Sequence, residues 1–150
     1  MSFFDMISNA VKSYGAIVII HEDELTVTNC QNGKTITIFA DTFYDKEGSA
    51  RFSEYIIEFS TQHRHFEEDE EEEIIDYILS IMRDEVLPIE FFCNDQRRFG
   101  GELDRKKNPC VDPAKWLADI SYDAAQHAAF TYEINSWSGR FDTGKQNLTK

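Results

Sequence analysis

From Phe3 the apolar positions Phe3, Phe4, Ile7, Val11 and Tyr14 recur at three- and four-residue intervals, the spacing of one helical face. Ser2 is placed to cap the start of that helix and Gly15 its end. An unbroken apolar run over residues 16–20 then predicts a strand, and residues 21–24 a polar turn. From Leu25 the chain alternates as far as Gln31 and meets Asn32-Gly33, a dipeptide that supplies positive φ at both centres of a two-residue hairpin turn. Such a turn sets Gln31 opposite Lys34, Thr28 opposite Thr37 and Val27 opposite Ile38. Leu25, Val27, Ile36 and Ile38 then share a core face, while Thr26, Thr28, Thr35 and Thr37 share a wet one.

Residues 45–48 read as the next turn. Over 52–61 the pattern is double: Tyr55, Ile57 and Phe59 alternate as in a strand, whereas Phe52, Tyr55, Ile56 and Phe59 trace a helical face; we adopt the strand. The seven acids of residues 67–73 open a second helix whose core arc is Ile74, Ile75, Ile78, Leu79 and Met82, ending near Val86 before Pro88. Residues 89–93 read as a strand and 97–108 as a polar, basic connection containing Gly100-Gly101. Asp112-Pro113 marks a third helix start, followed by Trp116, Leu117 and Ile120, and a last strand falls around 130–137. Beyond Gly139 the chain is polar, and roughly residues 140–150 are expected to fray. These elements predict a single α+β domain over 1–150: a mainly antiparallel sheet of about five or six strands with helices packed chiefly on one face.

Charge changes the picture more than size does. The chain's 150 residues suffice for one core without staples. Its formal charge of −13 is uneven, with 16 acids against 5 bases in residues 1–75 and 12 against 10 in residues 76–150. A field of this sign opposes direct binding of nucleic acid or an anionic membrane. Three cysteines, Cys30, Cys93 and Cys110, at unrelated spacings favour free thiols in a reducing compartment, and the apolar run at 16–20 is too short to span a bilayer. A cytoplasmic protein is the resulting expectation.

No catalytic residue, metal ligand set or cofactor motif emerges. Trp137-Ser138-Gly139 lacks the strand–turn–helix setting of a serine nucleophile, and Phe99-Gly100-Gly101 lacks the residues of a phosphate loop. His63 and His65 would share a strand face ahead of the acids, yet consecutive acids on a helix point around the cylinder, so the two histidines read as solvated residues of a connection.

The acidic run carries the functional lead. Glu67, Glu68, Asp69, Glu70, Glu71, Glu72 and Glu73 concentrate charge at one helix end, and like charges three and four apart repel. A helical projection at about 100° per residue turns Tyr77 outward among Glu70, Glu73 and Asp84, with Ile81 at the margin and Asp76 on the same helix. An outward aromatic ringed by acids has the composition of a contact site for a basic protein. With its acidic run, Tyr77, its size, its cysteine pattern and its lack of a catalytic motif, the chain resembles the small acidic immunity proteins of bacterial toxin–immunity systems, including contact-dependent inhibition. The resemblance implies a partner that is a cognate toxin domain, often a cationic nuclease, whose active site is blocked. It carries over no motif residue. A nucleic-acid mimic or adaptor that binds a basic partner is the alternative reading, and an enzyme with an unrecognised acidic site the third.

Overall fold

A computed structural model of the chain describes residues 2–121 and 129–148, with the backbone alone at positions 43 and 50–52. The protein is α+β. It divides into two compact units, Met1–Met82 and Arg83–Lys150, each with its own antiparallel sheet. Where the hydrophobic pattern suggested one sheet of five or six strands, there are two, of five strands and four.

The first unit begins with α1 (Phe3–Val11), closed at its start by a reciprocal pair of bonds in which the Ser2 hydroxyl accepts from the Asp5 N–H and the Asp5 carboxylate accepts from the Ser2 N–H. A 3₁₀ turn, Lys12–Tyr14, and Gly15 at φ 68° end it. Five strands follow in sequence as an up-and-down sheet: β1 (Ala16–His21), β2 (Glu24–Asn29), β3 (Thr35–Tyr44), β4 (Ala50–Phe59) and β5 (Gln62–Glu67). The inner face carries Leu25, Val27, Ile36, Ile38, Ile57 and Phe59, all buried, and Tyr55, whose ring lies 4.7 Å from that of Phe3 on α1. α2 (Glu71–Met82) completes the unit.

The β2–β3 register differs from the expected one by two residues: Val27 pairs with Ile36, Thr28 with Thr35 and Leu25 with Ile38. The loop opens early because the Asn29 side chain accepts from the Gln31 N–H at 2.9 Å and its carbonyl accepts from the Gly33 N–H at 2.8 Å, while Asn32 Oδ1 accepts from the Lys34 N–H. A slip of two preserves the alternation, so all four apolar residues still face the core. A two-residue turn with positive φ at both centres lies elsewhere, at Asn94 (51°) and Asp95 (60°).

That turn joins β6 (Val86–Cys93) to β7 (Gln96–Asp104) in the second unit, where a basic connection was expected. Pro88 lies inside β6 rather than beyond a longer α2, since its carbonyl accepts from Asn135 just past the end of β8 (Phe130–Ile134), where the missing N–H costs only the terminal rung of the ladder. Leu87, Ile89 and Phe91 alternate inward and pack with Leu103, Leu117, Phe130, Ile134 and Leu148. α3 (Pro113–Ile120) is capped as the sequence predicts, the Asp112 carboxylate accepting from the Lys115 N–H. Its Trp116 stacks on Phe91 with ring centroids 5.5 Å apart, and its indole N–H donates to the Glu102 carbonyl. Residues 140–148 do not hang loose: the Asp142 carboxylate accepts from the N–H and hydroxyl of Ser136, β9 (Gln146–Asn147) pairs with β8, and Leu148 is buried.

Candidate functional site

The acidic run does not lie wholly within the second helix. Glu67 ends β5, residues 68–70 turn, and α2 begins at Glu71. Glu70 builds the corner: its carbonyl accepts the first helical bond from Ile74, its carboxylate accepts from the Glu67 N–H at 3.1 Å, and its own N–H donates to the Glu67 carbonyl. The helix therefore starts late, because three acids fit the positive end of the dipole in the first turn where seven would extend beyond it. Glu67, Glu68, Asp69, Glu72, Glu73 and Asp76 are exposed, and Glu70 and Glu71 are half-buried.

Strand register adds acids from elsewhere in the chain. Glu67 lies directly opposite Glu54 on β4, which lies opposite Asp41 on β3, so three carboxylates stand in a row across the outer face of the sheet. Like charges in that relation repel. His65, next along the same face, meets Glu54 at 3.1 Å and packs edge-on against His63 with ring centroids 5.3 Å apart. Thus the stretch read as a connection is a strand, and the histidines do share its face. Among the described residues no cation lies within 4.0 Å of any of the seven run carboxylates. Burial, followed by the fields of Glu71 and Glu68, pushes the Tyr55 hydroxyl above its ordinary range. Glu67, Asp69 and Glu70 bring one oxygen each within 4.8 Å of one another, in a cluster of which Glu67 and Asp69 are exposed and Glu70 half-buried.

Two residues expected on this surface are not there. Tyr77 is buried, its ring 5.6 Å from Phe66 and the Arg64 guanidinium over both rings, 4.9 Å from the Tyr77 centroid. The core stripe of α2 is Ile74, Tyr77, Ile78, Ile81 and Met82, rotated from the expected arc so that Ile75 and Leu79 are only partly covered. The rotation sets Tyr77 against the inward Phe66 of β5. Asp84 is also buried. It belongs to the second unit, at φ 57°, where its carboxylate accepts from the N–H and hydroxyl of Ser138 and its carbonyl accepts from Arg105. Asp84→Ala is expected to lower the stability of that unit by about 1–3 kcal/mol in a urea melt, the cost of losing two hydrogen bonds from Ser138 to a charged acceptor, and to leave the acidic corner of the first unit unaltered.

The charge divides with the units. Residues 1–82 hold 17 acids and 5 bases, a formal −12, and residues 83–150 hold 11 and 10, a formal −1. The acidic corner therefore sits in the unit that carries nearly all the field. Glu54, Asp41 and His65 join it only through strand pairing, and the spacing of alternating residues in 52–61 was the available signal for them. Comparison of the chain with protein-family models, curated proteins and solved structures returns no match, which leaves these residues and their geometry as the ground for a functional reading.

Proposed function

We propose that the chain is a protein-binding inhibitor, an immunity protein that captures a cognate cationic toxin domain through the acidic corner between β5 and α2. One observation carries the reading: the seven carboxylates of the run lack cation partners within ion-pair reach among the described residues, and Asp41 and Glu54 extend the row beside them with only His65 set against Glu54. Crowded like charge works against the fold and is not needed for solubility, so a binding role is its best physical reason. Lys and Arg of a partner would neutralise it and gain charge-assisted bonds. The exposed thiols of Cys30 and Cys110 suit a cytoplasmic setting. A nucleic-acid mimic is the second reading, favoured by the regular row Asp41, Glu54, Glu67 at strand spacing, which could stand in for successive phosphates.

The test reverses Glu68, Asp69 and Glu72 to Lys together, sparing Glu67 and Glu70, which hold the corner. With the partner captured from its native cells and purified, stopped-flow association at low salt should slow by about tenfold or more, while dissociation changes less. An unchanged on-rate would move the interface off this corner. A single partner retained at physiological salt supports the immunity reading; release of several unrelated basic proteins over a narrow salt range supports the mimic.

A further inference from the structure

The geometry points to a second interaction surface, the free edge of β1, whose occupant is the same edge of a second copy of this chain. Among the described residues β1 pairs with β2 alone, so its outer rim of N–H and C=O groups is open. The two edges of this sheet differ sharply. β5, on the far side, reads Gln-His-Arg-His-Phe-Glu and is guarded by charge, whereas β1 reads Ala-Ile-Val-Ile-Ile-His, with no charged residue, no proline and an unbroken register. Those are the features by which sheet edges ordinarily avoid pairing, and β1 has none of them.

The exposed apolar surface lies on both faces of the strand. Ile17 and Ile19 are 54% and 59% exposed on the outer face, and Ile20 is 46% exposed on the inner face. A helix or a ligand laid on one face would leave the other wet; a strand that continues the sheet covers both. Because the Glu22-Asp23 turn is two residues long, His21 and Glu24 form its closing hydrogen-bonded pair, which turns the N–H and C=O groups of Ala16, Val18 and Ile20 toward the open rim.

Charge and symmetry select a second copy. A twofold axis normal to the sheet through Val18 pairs Val18 with itself and sets Ile17 of each copy opposite Ile19 of the other. The most exposed side chains are thereby buried twice over. Antiparallel pairing sends the acidic turn of one copy, Glu22-Asp23-Glu24, past Gly15 toward the end of the other that holds Lys12 and no acid; parallel pairing would bring acid against acid. The acidic run lies four strand spacings away, about 19 Å, beyond the screening length of about 8 Å at physiological salt. The contact is isologous and closes at two copies, since the β5 edges are charged.

Sedimentation velocity on the full chain tests this at about 100 μM, because a strand pair alone buries less than a standard interface of about 1,600 Å². We expect a species of twice the 17.4 kDa chain mass that tightens as salt rises, opposite to the salt dependence of a basic partner. Ile19→Lys should return the chain to monomer with an unaltered circular dichroism spectrum, and His63→Lys on β5 should leave the dimer intact. Should Ile19→Lys fail to fold, the double change Ile17→Thr with Ile19→Thr, which copies the outward threonines of β2 and β3, should weaken the dimer tenfold or more. A wild-type monomer at that concentration, or a dimer that survives the β1 changes, overturns the proposal.

Discussion

Tyr77→Ala is expected to destabilise the first unit by about 3–5 kcal/mol, the range for deleting a buried aromatic ring. The ring is 7% exposed, sits on Phe66 and lies under Arg64, so its removal opens a cavity between β5 and α2 and strips one face of the guanidinium's aromatic seat. Asp76→Ala, one residue earlier and exposed, is the control and should change stability by no more than about 0.5 kcal/mol. Denaturant melts of the two variants make the comparison. Equal midpoints would mean that Tyr77 faces solvent. Any loss of partner binding in Tyr77→Ala should track the unfolded fraction, whereas charge reversal at the corner should reduce binding without lowering the midpoint.

Gly101→Ala should cost the second unit about 2–4 kcal/mol, through overpacking and the loss of one hydrogen bond. Gly101 stands opposite Ile89 on the inner face of β7, and a Cβ there would lie 2.5 Å from the Trp116 ring. A fused ring cannot swing aside as a flexible chain end would. It must lift from Phe91 and draw its N–H from the Glu102 carbonyl. The near-ultraviolet circular dichroism of Trp116 should weaken along with stability. Trp116→Ala is destabilising by itself, but Gly101→Ala should add little in that background, and this coupling is what the cycle measures. Additive costs would show that the notch does not exist for the ring.

The fold was legible where one residue type decides a local geometry. Ser2 and Gly15 bounded α1, Asp112 and Pro113 marked the start of α3, and alternation set the core face of β2 and β3 even though the loop between them is wider than Asn32-Gly33 implies. It failed where tertiary packing outweighs local pattern. β5 and β7 are strands made of polar and charged residues, because one inward Phe66 and an inward Phe99, Gly101 and Leu103 suffice when a sheet supplies the rest. The rotation of α2 could not be read from its own residues. Ile74 through Met82 offer two nearly equivalent apolar arcs, and Phe66 and Arg64 choose between them. Of the candidate site, the charge was visible and its shape was not: a run along one helix became a corner, extended by Glu54 and Asp41 through register.

A body with −12 on one unit and −1 on the other does not approach a cation at random. The uneven field places nearly all the attraction on one unit, so within a Debye length of a positive surface it is residues 1–82 that are drawn in. Orientation, which ordinarily limits how often two proteins meet productively, is partly settled in solution. The second unit, nearly silent in that field, can accumulate neutral and even basic substitutions with little effect on how fast the proposed encounter would form. Selection for speed would therefore act on residues 1–82 and leave residues 83–150 comparatively free to vary.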